Sequence, residues 1–377
     1  MRITRVELLR AKEPVILPEP WHAAWGMPNG APVTSFLFEF YRLTTDEGAV
    51  GYGPETGYDR PASLIGQDPA MVGAFFEREM SGRRSGCAHH GADGIEIAMW
   101  DILGRVAGLP LYKMLGAVTD RVPVYAGISR LMPPAELAEH VLGIVDEGFR
   151  AVKLRLHHQD PRDDLRAVEA VRVAAGDSLM ILADANQHNA SPGYRYWDRQ
   201  TAQRMARALD EMGLWALEEP LPRTDLEGLA AIAASVDMYI AGGEFSPTLP
   251  DLYNDLVSGA YDIIQPDVRM GGNYGIMGVR RAAELADAMG RLIVPHTASG
   301  RSFPLGVPAS LHVVAAVPNC PIIEFPYDPP FLTAATSQPV LEEAIWIDAD
   351  GCVPVPQGPG LGVELVEDML DVVWSVD

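Results

Sequence analysis

The 377-residue chain is 48% hydrophobic and 21% charged, enough apolar material for more than one core at domain sizes of about 100 to 200 residues. Its 51 acidic residues outnumber 29 basic ones, for a formal charge of -22, which gives no electrostatic hold on a nucleic-acid backbone or an anionic membrane. With no apolar run of membrane-spanning length, no leader pattern after Met1, and three widely spaced cysteines (Cys87, Cys320, Cys352) that build neither a disulfide framework nor a zinc ribbon, a soluble protein of the reducing cytoplasm is expected.

The first 60 residues predict extended structure: Ile3–Ala11, then residues 35–43 and 49–52 around the turn Thr44-Thr45-Asp46-Glu47-Gly48, together a small antiparallel sheet. Residues 18–32, with Trp21, His22, Trp25, Met27 and Gly30, are too irregular for an element and too aromatic for a solvated spacer, so a lid is expected there, with His22 and Trp25 reaching the substrate. Helical periodicity in residues 71–80 and 94–106 is stopped by Gly108-Leu109-Pro110. Residues 1–120 therefore predict an α+β capping domain. From Val122 onward eight β-rich runs (122–128, 151–156, 179–184, 215–218, 238–244, 262–267, 292–296 and 321–325) alternate with amphipathic stretches. This predicts an α/β fold in which residues 121–330 form a (β/α)8-type TIM barrel, whose site lies at the C-terminal ends of the strands. Residues 331–377, with Gly358-Pro359-Gly360-Leu361-Gly362, are expected to return to the capping domain.

Seven of the eight runs end in an ionisable residue: Lys153 and Arg155, Asp184, Glu218, Glu244, Asp267, His296 and Glu324. Any one could cap a helix or face solvent. Their spacing of 23 to 34 residues is one βα unit each, so a barrel brings all of them to one rim. Asp184, Glu218 and Glu244 come from neighbouring strands and repel unless a cation lies between them or rim arginines pair with them. Oxygen-only ligation favours Mg2+, with Mn2+ second. Asp267 beside His296 can fix the imidazole tautomer and raise its basicity, as a general acid or base requires. Lysine is scarce, at three of the 29 basic residues; Lys153 and Arg155, two apart on one strand, point to the same side.

The segment Gly94-Ile95-Glu96-Ile97-Ala98-Met99-Trp100-Asp101-Ile102-Leu103-Gly104, then Gly108-Leu109-Pro110-Leu111-Tyr112-Lys113-Met114-Leu115-Gly116, resembles the end of the capping domain in the mandelate racemase subgroup of the enolase superfamily. Lys153-Leu154-Arg155, Asp184-Ala185-Asn186-Gln187, Leu217-Glu218-Glu219-Pro220, Gly243-Glu244, Gln265-Pro266-Asp267 with Gly271-Gly272, Pro295-His296 and Ile323-Glu324-Phe325 match that subgroup strand by strand. The resemblance implies Asp184, Glu218 and Glu244 as ligands of one Mg2+ per subunit, His296 with Asp267 as the catalytic dyad, and a homo-oligomer. It also implies a protonated Glu324 on the substrate carboxylate, Asn186 near the substrate, and a small-molecule carboxylic acid as substrate. Enolase-superfamily sites use a Lys or His base, with Mg2+ stabilising the developing charge.

The subgroup usually has Lys-x-Lys on the second strand, whereas Arg155 stands here. A guanidinium is unsuited to accept a proton at neutral pH, which weakens a two-base racemase and leaves Arg155 to orient the substrate. β-Elimination of water needs one base on one face, so the sequence predicts a hydro-lyase converting a sugar acid to a 2-keto-3-deoxy acid. Lys153 is then an electrostatic partner in catalysis. A racemase or epimerase of a 2-hydroxy acid with Lys153 as second base, and a catalytically silent metal- or carbohydrate-binding protein, are the alternatives.

Overall fold

The structure, a computed structural model, describes residues 1–81, 91–188, 193–269, 274–297 and 299–377. Cys87 and the pair Gly271-Gly272 lie outside these residues. The amino-terminal part holds β1 (Ile3–Ala11), β2 (Val15–Trp21), β3 (Val33–Phe36), β4 (Glu39–Thr45) and β5 (Val50–Pro54). β1, β4 and β5 form an antiparallel sheet, and Gly48 takes φ 78° in the turn between the last two. The helix Ala92–Ala107 lies directly on β5: a Cβ on Gly53 would stand 1.9 Å from the Gly94 carbonyl oxygen, so this contact admits glycine only. Gly108, with φ 66°, ends that helix where its sequence says it should.

Residues 18–32 are more regular than expected. β2 runs to Trp21 and pairs antiparallel with β3, and a short 3-10 turn follows at Ala24–Gly26. Pro18 and Pro20 disguise this strand in the sequence. They are tolerated because the two-stranded ribbon leaves each strand with a free edge, where a missing N–H costs no ladder bond.

The barrel strands are β6 (Arg121–Gly127), β7 (Ala151–Arg155), β8 (Met180–Asp184), β9 (Ala216–Glu218), β10 (Tyr239–Gly242), β11 (Ile263–Ile264), β12 (Leu292–Ile293) and β13 (Ile323–Phe325). They form a curled parallel sheet in the order β12-β11-β10-β9-β8-β7-β6-β13. Its two ends meet where Ile293 N–H donates to the Asn319 carbonyl (3.1 Å) and the Thr297 hydroxyl to that of Glu324 (3.0 Å). The interior is filled by one small cluster with a residue from each strand or the position adjoining it: Tyr125, Ala151, Leu182, Ala216, Ala241, Ile263, Val294 and Ile322. β11 and β12 stop short of the expected 267 and 296, so Asp267 and His296 stand beyond the ladder at the mouth.

The carboxyl-terminal segment ties both parts together. β14 (Cys352–Pro354) pairs with β6, Leu361 N–H donates to Asp101 in the helix on β5 (2.8 Å), and β15 (Leu370–Val376) adds an antiparallel edge to β1. Among the described residues no helix is long and apolar enough to cross a membrane.

Candidate active site

A cavity of about 450 Å³ opens at the carboxyl ends of the barrel strands, walled on one side by Trp25 and Phe36 of the amino-terminal part. Arg155, Asn186, Glu244, His296 and Glu324 line it. Parallel strand register produces this convergence: Arg155 pairs with Asp184, and Asp184 with Glu218, each at the last residue of its strand.

Beneath the cavity floor lies a buried lattice of charge. Lys153 is 0% exposed, with Nζ 2.9 Å from Glu218 Oε2 and 3.0 Å from Glu324 Oε1. Burial pulls its pKa down, but the two carboxylates outweigh this and hold the ammonium well above its ordinary value. The ion pairs thus favour the ammonium form of Lys153, which is absent from the cavity lining. Burial raises Glu324, yet Lys153, His296 and Arg155 together bring it below its ordinary range. The ammonium 3.0 Å away favours the carboxylate form of Glu324, whereas the resemblance implies a protonated acid against a substrate carboxylate.

Arg155 is paired with Asp184, donates from Nε to the Ile128 carbonyl (3.0 Å) and stacks under the Trp25 ring, 4.9 Å from its centroid. Asn186, held at φ 47°, donates from both its backbone and side-chain nitrogens to Asp184 at 2.8 Å. Trp21 is buried and donates to the Ser129 hydroxyl (2.9 Å), which anchors the segment carrying Trp25 to the loop after β6. His22 is exposed and does not line the cavity.

His296 Nδ1 lies 2.7 Å from Asp267 Oδ2. Its Nε2 is then the nitrogen turned toward Glu244 Oε2 (3.8 Å) and Glu324 Oε2 (3.9 Å). Burial would lower this imidazole, but Glu244 and the Asp267 hydrogen bond push it up to about 10. Burial, with the charge of Glu218, raises both Asp184 and Glu244. These carboxylates lack enough positive charge, and Glu218 Oε1 is buried with no hydrogen-bond partner among the described residues. An orphaned oxygen among mutually repelling carboxylates fits a hard divalent cation.

The tightest acidic group among the described residues is Asp184, Glu218 and Glu219, with ligand atoms within 4.8 Å of one another. Glu219 is not among the residues that the sequence singles out for a role. The signal was its place directly after Glu218, where a left-handed φ of 46° turns both carboxylates into the same buried region. Glu219 faces His188, whose ring packs 4.5 Å from Phe245, and it is not in the cavity wall, whereas Glu244 is.

Residues 33–116 match the mandelate racemase / muconate lactonizing enzyme N-terminal domain, and residues 136–369 the enolase C-terminal domain-like family. The chain is 34% identical over 268 residues to L-talarate/galactarate dehydratase of Salmonella typhimurium, a match covering 70% of this chain and 63% of that protein's length. It is 31% identical to 3,6-anhydro-alpha-L-galactonate cycloisomerase of Streptomyces coelicolor, covering 86% of this chain and 84% of the relative. The crystal structure of L-talarate dehydratase from Polaromonas sp. JS666, complexed with Mg and L-glucarate, superposes with a TM-score of 0.79 at 28% identity, covering 100% of this chain and 98% of that one.

Proposed function

Because the chain belongs to the mandelate racemase / muconate lactonizing enzyme family of the enolase superfamily, we propose that it is a Mg2+-dependent sugar-acid dehydratase that forms a 2-keto-3-deoxy acid. Relatives in this family include dehydratases of sugar acids as well as cycloisomerases. The observation that carries the dehydratase assignment is the asymmetry of bases. His296 stands at the cavity with Nδ1 held by Asp267 and Nε2 turned to the open side, while Lys153 is buried outside it in ion pairs that favour its ammonium and Arg155 is a guanidinium. One base on one face suits elimination; inversion at a carbon needs a second.

In this scheme His296 first gives up its Nε2 proton to solvent, a loss that a cation held by Glu244 would ease because that carboxylate is the main charge raising the imidazole. The neutral ring then takes the proton next to the substrate carboxylate at Nε2, while Asp267 holds Nδ1–H and steadies the imidazolium that forms again. The C–H electrons move into the carboxylate and then expel the β-hydroxyl, which leaves as water with the proton from His296. The resulting enol tautomerises to the 2-keto acid. Asp184, Glu218 and Glu244 would hold Mg2+, which when bound supplies positive charge opposite the substrate carboxylate. Arg155 and Asn186 orient hydroxyl groups, and Lys153 with Glu324 keeps the floor of the site electrostatically fixed.

The test is turnover of a panel of sugar acids with Mg2+, followed by proton NMR in D2O. Appearance of a 2-keto-3-deoxy acid is the expected result. Exchange at the α-carbon with accumulation of the C2 epimer and no dehydration would replace this proposal with a racemase or epimerase.

A further inference from the structure

The two ends of the cavity differ in their charge balance. At the floor every cation has its carboxylate: Arg155 has Asp184, and Lys153 has Glu218 and Glu324. At the end facing the amino-terminal part, two arginines line the wall and neither forms an ion pair among the described residues. Arg269 reaches across to that part, donating from Nη2 to the Glu55 carbonyl (3.2 Å) and from Nη1 to the Ser302 hydroxyl, while its Nε is buried without a partner. Arg301 is exposed into the cavity and makes no hydrogen bond among the described residues. Its neighbour Gly300, at φ 62°, abuts Phe36 so closely that a Cβ would lie 2.7 Å from the ring. The loop bearing Arg301 is thus pressed against the roof of the site. Directly after it begins the twelve-residue helix Phe303–Val314, whose positive end adds to the same potential.

We propose that Arg301 and Arg269, with Ser302, form a second anion subsite that takes the distal carboxylate of the substrate and selects dicarboxylic over monocarboxylic sugar acids; this rests on the dehydratase assignment above. Arg269, partly removed from water, gains from an anion that replaces its lost hydration, and the exposed Arg301 has its whole guanidinium free to grip a planar carboxylate by two parallel N–H bonds. A terminal hydroxymethyl group would leave Arg301 without a counter-charge and Arg269 with only the buried Asp93 carboxyl in its field. Glu244 and Glu324 line the same cavity, but the imidazole and the metal-site groups engage them. The buried carboxyl of Asp93 lies in the field of Arg269, and burial pushes it up to about 7, so it offsets Arg269 in part and leaves Arg301 unpaired among the described residues.

The experiment compares kcat/KM of the Mg2+-loaded wild type, Arg301→Met and Arg301→Lys on a hexaric acid and the hexonic acid of the same configuration. The wild type is expected to favour the diacid by at least about tenfold, and Arg301→Met to shrink that ratio by about tenfold, with Arg301→Lys in between. A wild type that favours the monoacid, or a Met variant that changes both acids by the same factor, would overturn the subsite. If the wild type turns over neither acid, the panel of sugar acids decides the dehydratase assignment, and calorimetric titration with the diacid decides the subsite separately. Binding about tenfold weaker in Arg301→Met retains it; equal binding removes it.

Discussion

Trp25 of the amino-terminal part covers Arg155 of the barrel, with the guanidinium carbon 4.9 Å from the ring centroid. The contact places an aromatic roof over the residue that replaces the customary second lysine, and it holds that guanidinium against Asp184 and the Ile128 carbonyl. Such a contact is worth about 0.5 to 2 kcal/mol, more where water is excluded. Trp25→Ala should therefore lower kcat/KM by about tenfold with little change in the melting temperature. Trp21→Ala should do the reverse, because Trp21 is buried and bonded to Ser129; truncating a buried tryptophan costs about 3 to 5 kcal/mol. Steady-state kinetics and thermal unfolding of the two variants test the division of labour. If both lose stability and activity together, Trp25 is only a packing residue.

Addition of Mg2+ should raise the melting temperature, since a ligand present at 100 times its dissociation constant stabilises by about 2.7 kcal/mol. Glu244→Gln should abolish this gain while leaving the metal-free protein as stable as the wild type, because it relieves repulsion that now raises both Asp184 and Glu244. Glu219→Gln should keep the gain, since Glu219 is turned toward His188 and away from the cavity. Unfolding curves with Mg2+ and with EDTA separate the two carboxylates. Loss of the shift in Glu219→Gln and its retention in Glu244→Gln would move the third ligand to Glu219.

The rim of the barrel was legible because one ionisable residue per βα unit is a pattern that strand register converts directly into a site: Arg155, Asp184 and Glu218 stand opposite one another. The ion pair of Glu324 was not legible, because it depends on the 3.0 Å approach of Lys153 from another strand. Glu219 escaped because strand alternation points adjacent residues apart, and only its left-handed backbone brings it back beside Glu218. β2 was hidden by two prolines that an edge strand tolerates. His22 looked like its aromatic neighbours, but the 3-10 turn that directs Trp25 inward leaves His22 exposed.

His296→Asn should abolish both dehydration and exchange of the substrate α-hydrogen with D2O, by about 100-fold or more, the usual range for a lost general base. Asparagine keeps the approximate shape and offers no basic nitrogen to the cavity. Arg155→Lys should weaken turnover, since one ammonium cannot bond Asp184 and the Ile128 carbonyl in the geometry of the guanidinium. A lysine there also restores a group able to accept a proton from the second face, so α-hydrogen exchange with partial loss of configuration is expected in this variant. Deuterium incorporation measured by NMR reports both variants. Exchange at the wild-type rate in His296→Asn would move proton abstraction to another residue.

Glu96 lies in the helix on β5, buried, and accepts hydrogen bonds from Trp100 Nε1 (2.8 Å), Ile276 N–H (2.8 Å) and Met277 N–H (3.0 Å). It thereby joins the amino-terminal part to the start of the barrel helix Gly275–Ala288. Burial pushes its carboxyl up to about 7 despite these donors. Because the folded value lies above that of the unfolded chain, the folded state binds the extra proton. Its contribution is fully present below about pH 4.5 and is lost as pH rises through 7. Between pH 5 and pH 8 this one group should cost the wild type about 2 kcal/mol of stability. Glu96→Gln cannot ionise, so the stability difference between wild type and variant should move by that amount in favour of glutamine as pH rises, even though the amide gives up one acceptor oxygen. Urea unfolding of both proteins at pH 5 and pH 8 measures the double difference, and a value that does not change with pH would show that Glu96 stays ionised across this contact throughout.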